Sequence, residues 1–344
     1  MAPTPTKSGV KSGVQSGAPD SAPGRAPKGP ALPVGGLIAL VFLWLVWGTS
    51  WPAMRTVFLE LPVWQFRALT CAVAGAVLLA LGILEDRTRW KAPRRIWPRL
   101  VVAAILNMTC WHVLTGFALQ IVGAGHAAIV CYTLPVWTAL LGGLFFGERI
   151  GVRVAVAIAL GVAGVAVLLA AGLGASGGRP AAGFLPGDVF RDERALGFAF
   201  VLLAAVTWAG GTLVVKHYEW GVSMNALAGW QLLIGLVPIS LIAAVSEPFV
   251  LHRASTEAAL AGLYVLFVGM VMGYALWFRV VRAMPATVAS IGALMIPVIG
   301  VASGAILLGE PFGWHELLAL ALVLSAIALV LFVPAGRGRT KPPG

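Results

Sequence analysis

The sequence predicts an all-α integral membrane protein with ten transmembrane helices arranged as two inverted five-helix repeats. Three observations predict it. The 344 residues are 59% hydrophobic and only 11% charged, with a mean hydropathy of +0.92, where water-soluble domains carry roughly a quarter charged residues. Ten apolar stretches reach the ~20 residues that cross a bilayer as a helix, and none holds an Asp or Glu away from its ends. A block of sequence also recurs at a constant offset of 162 residues.

Residues 1–33 come first. Lys7-Ser-Gly-Val, Lys11-Ser-Gly-Val and Gln15-Ser-Gly-Ala, followed by Pro- and Ala-rich sequence, offer no apolar face and predict a disordered basic tail. A transit peptide is the competing reading, but the tail lacks an amphipathic Arg-rich face. The first apolar stretch has no A-x-A-like end, which argues against a cleaved signal peptide. The first repeat, 34–172, holds spans 34–54, 62–84, 97–119, 125–146 and 152–172. An extracytoplasmic connection, 173–195, leads to the second repeat, 196–334, with spans 196–216, 225–245, 258–281, 286–308 and 314–333. A cytoplasmic tail, 335–344, closes the chain. Glycine-rich breakers at 123–125, 147–151 and 309–313 separate neighbouring spans. Continuous apolar runs exclude a β-barrel, whose strands alternate in shorter segments.

Basic residues set the orientation, because short loops rich in Lys and Arg stay cytoplasmic. With the N-terminus inside, eighteen fall on the cytoplasmic side, including Arg87, Arg89, Lys91, Arg94, Arg95 and Arg99 after the second span. Five fall outside: Arg55, Arg179, Arg191, Arg194 and Arg253. Both termini are therefore expected in the cytoplasm. The net charge of +11 is then a topology signal, and no nucleic-acid partner is expected.

The offset of 162 lays Ala127 to Gly151 over Ala289 to Gly313 with eight of 25 positions identical, among them Pro135 with Pro297 and Glu148 with Glu310. An offset of 161 pairs Trp47 with Trp208 and Arg55 with Lys216. Five spans per repeat is odd, so the second copy enters the membrane from the opposite side. Inverted repeats are typical of secondary transporters, with the substrate near the midplane between the halves.

The pattern Ala-x-Ile-x5-Pro-Val, a small-residue helix and Gly-Glu stands in both halves. With Gly273-Tyr-Ala-Leu-Trp-Phe-Arg-Val-Val-Arg-Ala-Met-Pro-Ala and Trp47-Gly48-Thr49-Ser50, it resembles the EamA-type drug/metabolite transporter superfamily over roughly residues 35–334. The resemblance implies a ten-helix carrier in a cell membrane, the bacterial inner membrane being expected, that exports amino acids, purines or related small metabolites. An uptake permease of the same fold, or a membrane scaffold or enzyme reusing it, are the alternatives.

Candidate substrate-lining residues follow from depth in the spans. Trp47, Ser50 and Trp51 lie in the first span, Trp47 and Trp51 on one face. Asn107, Trp111 and His112 lie in the third, with Asn107 and Trp111 sharing a face and His112 turned about 100 degrees away. Tyr132 lies in the fourth, Thr207 and Trp208 in the sixth, Tyr274 and Trp277 in the eighth. Tryptophan otherwise favours the interface, which suits Trp64, Trp90, Trp97, Trp220 and Trp314. His112 reads either as a hydrogen-bond partner or proton acceptor in the cavity, or as a histidine bonded to a neighbouring helix. A lining of hydroxyls, amides, indoles and one imidazole suits neutral or zwitterionic solutes.

Pro135 and Pro297 are expected as mid-helix hinges. Glu148 and Glu310 are expected to cap the helices that follow them, the alternative being a part in the transport chemistry. Arg67 is expected to snorkel to the outer interface, the alternative being that it pairs with a substrate carboxylate. Gly143-x3-Gly147, Gly269-x3-Gly273 and Gly300-x3-Gly304 serve either internal packing or a homodimer face. Cys71, Cys110 and Cys131 lie in separate apolar stretches, so neither a disulfide framework nor a metal site is expected. No Walker sequence, nucleophile with a base or dinucleotide fingerprint appears; neither enzyme activity nor a cofactor is expected. The expected partners are a small-molecule substrate and the lipid bilayer.

Overall fold

In a computed structural model, residues 34–146, 152–175, 193–248, 254–277, 286–310 and 312–332 are described; the terminal tails, Glu148 and most of the connection lie outside them. Every regular element among the described residues is a helix. In order these are α1 (Val34–Glu60), α2 (Val63–Glu85), a 3₁₀ turn (Arg94–Ile96), α3 (Trp97–Ala104), a first π-helical segment (Ile105–Cys110) and α4 (Trp111–Ile121). Then come α5 (Ala124–Cys131), α6 (Leu134–Phe146), α7 (Val152–Ala175), α8 (Glu193–His217), α9 (Met224–Ser246), α10 (Thr256–Leu263), a second π-helical segment (Tyr264–Met272), α11 (Ala286–Leu308) and α12 (Trp314–Phe332).

Six stretches among the described residues are long and apolar enough to cross a membrane: Val63–Glu85, Arg94–Ile121, Ala124–Phe145, Glu193–His217, Met224–Ser246 and Thr256–Trp277. Large apolar side chains such as Leu144, Phe145, Val152, Val245 and Ile306 point outward. In water such patches invite association; against lipid tails they meet their own kind.

Helices α2 and α9 show how the chain holds together without water. Their axes run antiparallel, Gly82 lying against Ala226 and Gly75 against Leu233. A Cβ on Gly229 would stand 2.7 Å from the backbone nitrogen of Leu79, so this crossing requires glycine. The Trp64 and Gln65 amides, unpaired at the start of α2, both donate to Glu247 at 2.9 Å just past the end of α9. At the other end Asn225, in the first turn of α9, donates to Glu85 at 2.8 Å in the last turn of α2. Each helix thus has its first turn tied to a carboxylate at the end of the other.

Outside the bilayer, Asp86 accepts from the Thr88 hydroxyl at 2.6 Å and amide at 2.8 Å. These bonds hold its carboxyl below the usual carboxylate range. Glu60 is held low in the same way by the hydroxyl and amide of Ser255, the residue that caps α10.

The structure corrects several expectations. The fourth span is two helices, because the chain turns at Tyr132 and Thr133, where the Thr133 hydroxyl and amide both bond to Val130 O at 2.7 and 3.2 Å. Pro135 therefore sits in the first turn of α6, where its missing N–H costs nothing. Its counterpart Pro297 lies inside the continuous α11. The third and eighth spans each contain a π-helical stretch in place of regular α-helix. Helix α1 runs six residues beyond the predicted end, through Arg55 to Glu60, because charged residues near a helix end can stay helical while their heads find partners.

Candidate functional site

The aromatic residues picked out along the chain come together as one series of ring contacts. Trp277 packs on Trp47 with centroids 5.5 Å apart, and Trp47 meets Tyr274 edge-on at 6.3 Å. Tyr274 stacks with Trp208 at 6.4 Å, Trp208 contacts Trp111 at 4.6 Å, and Trp111 meets Trp51 at 6.2 Å. Trp47 and Trp51 share α1, so the series closes on itself. Trp51 and Tyr274 are buried, while the other four remain partly open. Aromatic faces of this kind attract cations and apolar rings.

The two π-helical segments border this ring. A π turn displaces backbone carbonyls from their usual partners and recurs at functional sites. The Trp47 indole donates to one such carbonyl, Gly269 O, at 3.3 Å, and the Tyr264 hydroxyl bonds to Thr49 Oγ1 at 2.6 Å. Asn107, in the other segment, donates to Gln231 on α9 at 3.0 Å, and its carbonyl oxygen packs against Gly211. Asn107 and Trp111 both face α8, through Gly211 and Trp208 respectively. Ser50 and Thr207 each donate to a carbonyl of their own helix, Val46 O and Ala204 O, leaving lone pairs but no free proton. Tyr132 is buried.

Arg67 is the largest departure from expectation. It does not snorkel; only 2% of it is exposed. Its Nη1 donates to His112 Nδ1 at 2.9 Å, its Nη2 donates to Thr115 Oγ1 at 2.9 Å, and its guanidinium lies 5.0 Å from the centroid of the Phe58 ring. His112 and Thr115, three apart on α4, present both acceptors on one face, so the cation can remain inside. The Nδ1 that receives a proton from Arg67 cannot carry one, so His112 is neutral with its hydrogen on Nε2. That nitrogen and Arg67 Nε have no partner. The proton-acceptor role considered for His112 conflicts with this geometry. Sequence reading missed Thr115, Gln231, Tyr264 and both π segments, while the one available signal for Arg67 was a cation in an apolar run with no acid near it.

Glu310 also differs from expectation. Its two oxygens accept the Ala124 and Gly125 amides at 2.6 and 2.8 Å, capping α5 and not the helix that follows it. Arg55 approaches to 3.8 Å and donates to Leu119 O and Val122 O at the end of α4, both at 2.7 Å. The following helix, α12, is served by Glu316, which accepts the Gly313 amide at 2.8 Å.

Membrane-length apolar helices around an aromatic interior define a multi-pass membrane protein. The chain belongs to the EamA-like transporter family, which it matches over residues 34–170 and 195–332. It is similar to "Uncharacterized transporter YvbV" of Bacillus subtilis, 26% identical over 85% of this chain and 90% of that one. It is also similar to "Probable amino-acid metabolite efflux pump" of Escherichia coli, 27% identical over 61% of this chain and 68% of that one. A crystal structure with a TM-score of 0.60 covers 87% of this chain and 96% of its own at 23% identity, a likeness of fold. The protein is a membrane transporter of this family.

Proposed function

We propose that the protein exports amino acids or related small organic solutes across a cell membrane, by alternating access between two inverted five-helix repeats at 34–172 and 196–334. The observation that carries this reading is the aromatic ring, because Trp47, Trp51 and Trp111 come from the first repeat and Trp208, Tyr274 and Trp277 from the second. A solute held there touches both halves, and rocking one against the other exposes it to either side.

Three features support the repeat. The first π-helical segment, moved by 162 residues, falls on residues 267–272, inside the second. Glu85 and Glu247, also 162 apart, perform reciprocal tasks at opposite ends of the α2 and α9 pair. The contact of Asn107 with Gly211 has its counterpart in that of Gly269 with Ser50. A self-complementary pattern in which i meets j and j's equivalent meets i's is what a two-fold relation produces. The ten-helix count, the cytoplasmic placement of both termini and a hinge role for Pro297 belong to the same proposal. The amino-acid class is supported by the printed description of the Escherichia coli relative.

Proteoliposomes holding the full chain test it. Preloaded radiolabelled amino acids are expected to exchange with external unlabelled solute, and Trp111→Ala together with Trp208→Ala to slow that exchange at least ~10-fold, the loss of one stacking contact each. Exchange equal to protein-free vesicles across the whole amino-acid panel would end the proposal.

A further inference from the structure

Arg67 is the one Lys or Arg buried among the described residues, and no carboxylate among them lies within ion-pair distance. A buried charge is ordinarily matched by an opposite one, since neutral acceptors return only part of its lost hydration. Here the matching charge is absent while the neutral acceptors are all used. Nη1 has His112, Nη2 has Thr115, and the Thr115 hydroxyl spends its own proton on Trp111 O at 2.6 Å.

Counting donors and acceptors sharpens the point. The cluster keeps two buried nitrogens with no acceptor at all, Arg67 Nε and His112 Nε2. Its acceptors are fewer: Nδ1 is occupied, and the Thr115 oxygen already accepts from Arg67. A site with a positive charge and more unfilled donors than acceptors suits an anionic oxygen ligand. One guanidinium balances one negative charge, which favours a carboxylate over a phosphate dianion.

The cluster also adjoins the aromatic ring. His112 follows Trp111 directly in α4, and Cys71, one turn after Arg67 in α2, belongs to the same packed group as Tyr274 and Trp208. An α-amino acid carries a carboxylate and, beside it, an ammonium that aromatic faces attract.

We infer that Arg67 and His112 form the subsite that receives the carboxylate of the transported solute, so that the carrier selects carboxylate-bearing solutes over their amides and amines. This rests on the transport reading above and specifies its substrate class. Arg67 is thereby a binding residue, with Thr115 positioning it from α4.

The test uses the full chain, purified and in proteoliposomes, with matched sets: L-phenylalanine, L-phenylalaninamide and phenethylamine, and the equivalent leucine set, alongside acetate, benzoate and inorganic phosphate. Binding is read by quenching of intrinsic tryptophan fluorescence, transport by counterflow. The carboxylate member of each set is expected to bind about 100-fold more tightly than its amide or amine, the effect of losing charge-assisted hydrogen bonds at a buried site. Arg67→Met should abolish that preference, and Arg67→Lys should keep the preference with weaker binding, since it retains the charge and loses the planar fork. Should Arg67→Met fail to fold, the wild-type ranking and Arg67→Lys decide the matter. Amides or amines bound as well as acids, carboxylate preference intact in Arg67→Met, phosphate preferred to every carboxylate, or no carboxylate bound at all would overturn the assignment. Selective carboxylate binding without counterflow would uphold the subsite and remove the transport reading.

Discussion

Arg55 and Arg67 lie twelve residues apart on consecutive helices, in equally apolar sequence, and the fold treats them in opposite ways. Arg55 is given an anion as well as neutral partners: two carbonyls at the end of α4 and the Glu310 carboxylate, which in turn caps α5. Its charge is cancelled, and the result ties together α1, α4, α5 and the residues after α11. Arg67 receives neutral acceptors only and is more deeply buried. A cation for which the chain supplies an anion is a joint, whereas one left without an anion is a receptor for one.

Two crossed experiments put the contrast to its hardest test. Glu310→Ala removes two charge-assisted bonds to α5 and strands Arg55 in a partly buried place. A loss of about 2–4 kcal/mol is expected, read as a lower midpoint of unfolding in detergent, with the ranking of carboxylates over amides retained. A midpoint within error of wild type would mean that the joint holds nothing.

Arg67→Met should do the reverse. Replacing an uncompensated buried cation with an apolar side chain of similar length removes its hydration penalty, and this offsets the bonds to His112 and Thr115. The midpoint should stay within about 1 kcal/mol of wild type, while carboxylate recognition disappears. If Arg67→Met instead unfolded the protein as Glu310→Ala does, Arg67 would be a second joint and the contrast would collapse.

The sequence made half of this contrast visible. Apolar runs mark the helices because hydrocarbon tolerates little else, and six of the aromatic residues singled out by depth do meet in the fold. What stayed hidden depends on contacts across the chain. Arg67 finds His112 only through the approach of α2 to α4, 45 residues apart, so a lone arginine near a predicted helix start reads as snorkelling. Glu310 and the amides it caps are separated by more than 180 residues; the glycine beside it suggested a cap, but nothing local says which helix. The break at Tyr132 and Thr133 comes from hydroxyl and amide bonds to Val130 O in a run that is otherwise apolar. The π segments have no compositional mark, because the close approach of Asn107 to Gly211 and of Ser50 to Gly269 is a matter of packing.

The smallest expected effect lies at the solvent-exposed end of the same scale, where a carboxylate makes a joint without a cation. Glu60 accepts from the Ser255 amide at 2.8 Å and hydroxyl at 2.7 Å, linking the end of α1 to the start of α10. These two bonds, the hydroxyl's being the larger influence, lower the carboxyl's titration range from its ordinary value of 4.5. A carboxylate held low in the folded state stabilises it at any pH above the unfolded value, and the contribution disappears as pH falls through the folded value. Water screens this link fully, so it should be weaker than the Arg55 and Glu310 joint. Glu60→Gln is therefore expected to lower the unfolding midpoint slightly at pH 7, and the difference from wild type should shrink steadily between about pH 5 and pH 3. The gap between wild type and Glu310→Ala should remain the larger of the two at pH 7. Were Glu60→Gln the more damaging, exposed hydrogen bonds would matter more here than partly buried charge, and the distinction between Arg55 and Arg67 would have to rest on something other than the anion each is given.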